Sequence, residues 1–433
     1  MKSNIKSIIN LVFVLILITV AGFSMLKRHV KTDEVGNKKV DSDVICYVDA
    51  ARSMAQGQDI YLKPGTSERN SYTYPPFYAF LNIPLTLLPN SAIDIGWYAL
   101  NIFMISTVIF LCYFLFTNEN LWRQSLKTKW YFIGLSIFLS IRYLIRNFQD
   151  SNANILLLFL VILSIFMYYR KHNAWWFALI GIAGAIKLYP LLFLVYFLAK
   201  KDFKAILIII GTFTFASLLP VLLIGFNQYF TFIHQFFQYA NEMFSPLGTT
   251  VENYSIWGTI TRLFSHNPSF VMGNKEVFVN LFNMNTNVLK LIVYLVNACV
   301  VIYIYFHVRK QRTYVNKYAQ HSEWIIVLLL MHFTSVLIEE HHVVSFLVAY
   351  LYLLVGYKNI RLLPKYLYYL VIFSGIFSIF TTHDIMVPLI GKEAFMRMLS
   401  YSIPILPIGI FLIVCLHYIP LSLNSKSYKT IKI

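Results

Sequence analysis

The feature that most constrains this chain is a succession of long apolar runs, at roughly 94–117, 131–146, 153–169, 174–199, 205–224, 284–307, 324–338, 343–357, 366–381 and 399–419. None alternates apolar with polar residues. About 20 apolar residues in a helix cross a hydrocarbon layer about 30 Å thick, and only helices or closed barrels satisfy their own backbone there. The runs therefore predict an all-α polytopic membrane protein. A further run, Ile8 to Met25, follows Lys2 and Lys6. It is long for the apolar region of a removable signal and is expected to be a retained anchor. The run at 174–199 is too long for one crossing and holds Lys187-Leu188-Tyr189-Pro190 at its middle. Proline removes a helical hydrogen bond and disfavours helix at the preceding residue, so two short helices meeting in a bend are expected. The layout amounts to about twelve crossings with both termini on one side.

Charge tests that layout. The formal net charge is +17, from 36 Lys and Arg against 19 Asp and Glu. In a soluble protein such an excess would point to nucleic acid. Here 58% of residues are hydrophobic and only 13% charged, which excludes a water-soluble globular enzyme and a disordered chain. The segments assigned to the inside are the N-terminus, 118–130, 170–173, 200–204, 308–323, 358–365 and the tail after Tyr418. They carry 20 of the basic residues and only Glu119, Asp202 and Glu323 as acids. The other side balances to zero. The surplus is thus a topology signal that places both termini in the cytoplasm, and no nucleic-acid partner is expected.

The whole chain, 1–433, reads as one integral membrane domain elaborated on its outer face. Residues 27–93 form a long first exterior loop and 226–283 a second, with a basic cytoplasmic tail at 420–433. Within the first loop a helix is expected over Val44 to Gly57, then a turn around Lys63-Pro64-Gly65-Thr66. Tyr74-Pro75-Pro76-Phe77 opens a short run to Leu88 that contains Pro84 and reads as a helix lying in the membrane interface. Long loops of this kind are usually functional. The four cysteines (Cys46, Cys112, Cys299, Cys415) are scattered and form no CxxC pair, which supports neither a disulfide framework nor a zinc site.

Polar groups gather at the outer ends of the spans. Lys187 lies between Ile186 and Leu188 in an otherwise apolar segment. A charge there is costly and marks function by default. It reaches the depth of a lipid-linked phosphate, or else it simply snorkels to the interface. Arg142 and Arg146 are one helical turn apart and point the same way. They either clamp a phosphate, which guanidinium matches bidentately, or end the helix at the surface. His341 and His342 follow Glu339 and Glu340. Neighbours on a helix point about 100° apart, so the pair does not face one ion well, but either ring can donate to a phosphate or sugar. Asp41, Asp43 and Asp49 follow the first span. Asp41 or Asp43 serves either as a helix cap or as a general base on an acceptor hydroxyl.

The ordered blocks along the chain resemble a known family. They begin with Asp43-Val44-Ile45-Cys46-Tyr47, Ala50-Ala51-Arg52, Gly57-Gln58-Asp59-Ile60-Tyr61 and Tyr72-Thr73-Tyr74-Pro75-Pro76-Phe77. Asn152-Ala153-Asn154 and Gly184-Ala185-Ile186-Lys187-Leu188-Tyr189-Pro190 follow. Glu252-Asn253-Tyr254-Ser255-Ile256-Trp257-Gly258 with Arg262, and Glu340-His341-His342, complete the set. Together they resemble glycosyltransferase family 87, polytopic GT-C enzymes that include polyprenyl-phosphate-mannose-dependent mannosyltransferases. The likeness covers about residues 40–350; the last spans carry little motif.

The resemblance implies a GT-C fold and transfer of a hexose, with mannose the weighted choice, from a polyprenyl-phosphate donor. The acceptor is a lipid or glycan on the outer face of the plasma membrane, and the anomeric carbon inverts. It places the catalytic base at Asp43 and donor-phosphate contacts at Lys187 and at His341 or His342; Arg142 and Arg146 stay further candidates on their helical spacing alone. Tyr74, Asn152, Asn154, Asn253, Tyr254 and Arg262 are implied to contact substrate. No cofactor or metal is expected, because a phosphate countered by cations already leaves readily. A Gly-rich nucleotide-phosphate loop is missing from the sequence, as suits a lipid-linked donor. Two other readings are a flippase or transporter of lipid-linked saccharides and a polysaccharide polymerase or ligase. Transporters, however, usually show repeated halves and charges near the midplane.

Overall fold

A computed structural model of the chain describes residues 22, 30–32, 38–40, 42–62, 72–242, 250–273, 275–310, 317–360 and 364–425. The expected anchor at Ile8 to Met25, Asp41, the turn at 63–66 and the last eight residues of the basic tail lie outside the described residues, save for Gly22. Almost everything described is helical. In chain order the main helices are α1 Asp43–Ala55, α2 Pro76–Leu81, α3 Asn90–Thr117, α4 Leu135–Asp150, α5 Asn154–Lys171, α6 Ala178–Ile186, α7 Phe193–Lys200, α8 Phe203–Leu218 and α9 Val221–Glu242. They continue with α10 Ile256–Phe264, α11 Thr286–Lys310, α12 Lys317–Phe333, α13 Phe346–Ile360, α14 Lys365–Phe380, α15 His383–Ile390, α16 Lys392–Ser400 and α17 Leu406–Ser425. Two small antiparallel hairpins pair Val30–Thr32 with Lys38–Val40 and Phe270–Met272 with Lys275–Val277.

Four segments are long and apolar enough to cross a membrane: Asn90–Thr117, Asn154–Lys171, Thr286–Lys310 and Glu340–Lys358. Two bent pairs, Phe203–Leu218 with Val221–Gln238 (92°) and Lys365–Phe380 with His383–Ile390 (74°), bring the number to six if each is one span. Other expected crossings fall on shorter apolar helices, Ala174–Ile186, Tyr189–Lys200 and Leu406–Tyr418. The run at 324–338 falls on α12, which begins at Lys317 and carries Glu323. Length and apolarity by themselves thus support four to six spans among the described residues. Large exposed side chains such as Leu207, Phe215, Leu222, Phe226 and Phe373 would be a liability in water and suit a lipid surface. The protein is an all-α, multi-pass membrane protein.

The chain forms two compact units. The first comprises 1–111, 144–191 and 204–240; the second comprises 112–143, 192–203 and 241–433. In the first unit α1 packs on α2 and on a 3-10 turn at Ile83–Leu87. Leu87 is 88% exposed, so this short apolar stretch faces outward, consistent with an interfacial helix. Gly57 ends α1 because its φ of +70° lets Gln58 N–H reach Ser53 O (2.8 Å) and Gly57 N–H reach Met54 O (3.1 Å). The second expected loop is partly helical: α9 runs into it, and Gln228 and Gln235 of α9 donate to Gly57 O (3.0 Å) and Asp59 Oδ2 (2.7 Å) of the first loop.

The expected break in 174–199 is present. The carbonyl of Ile186 would need the N–H of residue 190 to continue α6, and Pro190 has none. The helix ends at Ile186, and Lys187 is extended at φ −153°, ψ 130°. Behind it, Gly181 lets α6 approach α8 closely: a Cβ there would lie 2.0 Å from Thr212 Oγ1 and 2.6 Å from Ile209 O.

In the second unit α12 packs against α17, and α11 against α7. Burial separates the helices by role. The apolar window of Glu340–Lys358 is 89% buried and forms the centre, whereas that of Thr286–Lys310 is 17% buried and presents its side chains outward.

Candidate active site

Asp43 is the first residue of α1, where the helix N-terminus favours a negative charge. Its Oδ2 accepts a 2.5 Å hydrogen bond from Asn152 Nδ2. Asn152 follows α4 through a left-handed residue, Ser151 at φ +52°. There Asn152 N–H bonds Asn147 O and Ser151 N–H bonds Phe148 O, the same helix ending that Gly57 gives α1. A serine with positive φ at this position is unusual, and it turns the buried Asn152 toward α1.

The Asn152 carbonyl in turn accepts from Tyr74 O–H (3.1 Å) and from Asn154 Nδ2 (2.5 Å). Tyr74 accepts from Tyr47 O–H (3.0 Å), and the Asn154 carbonyl accepts from Tyr189 O–H (3.0 Å). Asp43, Tyr74, Asn152, Asn154 and Lys187 are therefore brought together in the first unit. Burial, followed by the negative charge of Asp43, holds the Tyr74 phenol well above its usual range, and burial does the same for Tyr47. Both stay protonated near neutrality and act as donors. The half-buried Lys187 completes the cluster: its Nζ lies 4.9 Å from the Tyr74 ring centre and 5.5 Å from that of Tyr189.

The remaining expected residues of the second unit are mostly occupied within the fold. Arg142 is buried, and its Nε (3.0 Å) and Nη2 make a bidentate pair with Glu340. Its Nη1 donates to Ser378 O (2.9 Å) and Thr381 Oγ1 (2.7 Å). Arg146, which belongs to the first unit, pairs with Asp150 at 2.9 Å, so the two arginines have different partners. Asn253 braces the segment after α12: its Nδ2 donates to Val336 O (3.0 Å), and its Oδ1 accepts from Ile338 N–H and Ser255 N–H (3.1 Å each). Arg262, fully buried on α10, donates to Ser400 O, Thr250 O, Asn253 O and Ser402 Oγ at 2.6–2.8 Å. Burial pulls its pKa down to about 10, which still leaves it charged near neutrality. Tyr254 O–H reaches Glu340 only at 3.5 Å.

His341 and His342 stack on each other with ring centres 4.4 Å apart and are both buried. His342 Nδ1 accepts from Glu339 N–H (3.0 Å), which places the proton of the neutral ring on Nε2. His341 Nδ1 lies 3.6 Å from Glu339 Oε2. Among the described residues no group of three or more His, Cys, Asp or Glu side chains is arranged to hold a metal ion. Asp49 pairs with Arg52 at 2.7 Å.

Sequence reasoning did not assign roles to Tyr47, Tyr189 or Ser151, nor Arg142's partners. Tyr47 was within reach, since it lies four residues after Asp43 on one helix face. Tyr189 sat in the quoted Lys-Leu-Tyr-Pro block. The contacts of Arg142 with Ser378 and Thr381 had no local signal at all.

One curated relative is a polyprenol-phosphate-mannose-dependent alpha-(1-2)-phosphatidylinositol mannoside mannosyltransferase of Mycobacterium tuberculosis. It is 28% identical over 203 residues, 43% of this chain and 45% of the relative, so the chain spans less than half of that protein's length. No solved structure matches. The family model of glycosyltransferase family 87 matches residues 72–335, which include Tyr74, Asn152, Asn154 and Lys187 but neither Asp43 nor the histidine pair. That match covers more than half of the sequence, and the chain belongs to glycosyltransferase family 87.

Proposed function

We propose that the protein is a membrane glycosyltransferase that moves a hexose, mannose by family weight, from a polyprenyl-phosphate sugar to a lipid or glycan acceptor. The observation that carries the reading is the Asp43 carboxylate, held by Asn152 in the same cluster as the half-buried Lys187. Family membership and the activity of the mycobacterial relative support the same class.

In this reading Asp43 takes the proton of an acceptor hydroxyl as its oxygen attacks the anomeric carbon. The bond from that carbon to the phosphate oxygen breaks, and polyprenyl phosphate leaves with the electron pair. Attack from the opposite face inverts the carbon. Lys187 counters the growing charge on the departing phosphate. His341 and His342 enter as further phosphate contacts from the resemblance alone. About twelve crossings, both termini in the cytoplasm and catalysis at the outer face of the plasma membrane complete the proposal, supported by the one-sided basic charge.

The test is incubation of membranes containing the chain with several polyprenyl-phosphate sugars and mass analysis of the new glycolipid or glycan. A single sugar should transfer, and Asp43→Asn should bind donor yet lose turnover. Full transfer by Asp43→Asn would remove the base assignment. Movement of labelled lipid with no glycosidic product would identify a flippase instead.

A further inference from the structure

We propose that Tyr74 and Asn152 are positioning residues for the base Asp43, and that the rings of Tyr74 and Tyr189 at the same time fix the Lys187 ammonium. One side-chain cluster then sets both the base and the phosphate-facing cation. The inference rests on the transferase reading and adds a device to it.

Direction is the first reason. Five side-chain hydrogen bonds of the cluster run toward the carboxylate: Tyr47 to Tyr74, Tyr74 to Asn152, Tyr189 to Asn154, Asn154 to Asn152, and Asn152 to Asp43. The Asn152 amide cannot flip without setting its NH2 against two donors and its carbonyl against a carboxylate. Its orientation is therefore imposed from both sides. Asn152, Asn154 and Tyr74 are 3%, 1% and 5% exposed, so these groups face one another inside the fold rather than a sugar in water. Such buried, fully connected networks specify one arrangement.

The second reason is what the phenols do with their faces. Tyr74 and Tyr189, whose hydroxyls feed the two amides, are the two rings over which Lys187 lies. A ring face attracts a cation through its quadrupole, while its hydroxyl is used at the edge. Removing the hydroxyl and removing the ring should consequently have different effects.

The experiment compares Tyr74→Phe, Tyr74→Leu and Asn152→Asp for transfer from the polyprenyl-phosphate sugar. Tyr74→Phe keeps the ring and should lower kcat about tenfold, the scale for losing an outer partner of a reactive group, with donor KM within about twofold. Tyr74→Leu should also raise donor KM. Asn152→Asp sets a second carboxylate against Asp43, and like charges at that distance resist joint ionisation. The acid limb of its kcat/KM profile should move up by about one pH unit or more. Thermal unfolding in detergent checks that each variant folds; if Tyr74→Leu does not, Tyr189→Leu makes the same comparison.

Wild-type kcat in Tyr74→Phe, equal KM effects in Tyr74→Phe and Tyr74→Leu, or an Asn152→Asp enzyme with reduced kcat and an unmoved acid limb would each overturn the proposal. A wild-type chain that forms no glycosidic product sinks the transferase reading and the coupling together. A competent wild type with an inactive Asp43→Asn and an unimpaired Tyr74→Phe sinks the coupling alone.

Discussion

Replacing Glu340 by glutamine asks whether Arg142 serves the fold or the donor. The Arg142 side chain is 3% exposed and that of Glu340 22%, and their pairing is bidentate. Removing one partner of a buried ion pair costs about 3–5 kcal/mol, because the other charge is left uncompensated. Two features reduce this. Glutamine retains one acceptor oxygen, and Ser378 O and Thr381 Oγ1 continue to accept from Nη1. The expected loss is about 2–3 kcal/mol, counting a charged hydrogen bond at about 1.5–3 kcal/mol. For a cooperative unit of this size that is a fall of about 5–10 °C in melting temperature. Scanning fluorimetry in detergent measures it, with Arg142→Met and the double variant completing a cycle. Since the double variant leaves no unmatched charge, the coupling should be about 2 kcal/mol. Additivity within about 0.5 kcal/mol would refute the pairing argument. An unmoved melting temperature with raised donor KM would return Arg142 to the phosphate role that its sequence position allows.

Three of the four Arg262 acceptors are backbone carbonyls. Arg262→Leu should therefore lower stability by about 3 kcal/mol or more, read as melting temperature, with donor KM unchanged in the folded fraction; a raised KM at constant stability would contradict this. Gly181→Ala forces α6 from α8 and should cost about 1–3 kcal/mol as overpacking, while also lowering kcat through the displaced Lys187; a neutral result would mean that Thr212 and the Ile209 carbonyl yield without penalty.

Much of the local architecture was legible in the sequence because its causes are local. Pro190 withholds the hydrogen bond that Ile186 would need, so the break at Lys187 follows from four consecutive residues. Gly57 stops α1, where the expected helix ended. The apolar runs at 94–117, 153–169, 284–307 and 343–357 coincide to within two residues at their starts with, or fall inside, the four long candidate spans. The total count was harder to read. Apolar residues also line the interior of the second unit, and apolar length alone does not tell a buried helix such as Glu340–Lys358 from an outward-facing one such as Thr286–Lys310.

The candidate site divides in the same way. Residue types and motif order singled out Asp43, Lys187, Asn152 and Asn154 as polar groups in an apolar chain, and a family likeness ranked them. What each side chain touches was settled only by tertiary structure. Asn152 meets Asp43 across 109 residues, and Arg142 meets Glu340 across 198. Asn152 and Arg142 carried the same expectation of a ligand contact, yet one holds the Asp43 carboxylate and the other staples α4 to the segment after α12. The sequence by itself determined that this chain lives in a membrane, where its helices break and which polar residues stand out, because burial of apolar length and backbone hydrogen bonding are decided over a few turns. Which of those residues face each other was decided by the tertiary structure, because a buried charge takes its meaning from the partner that the packing brings to it.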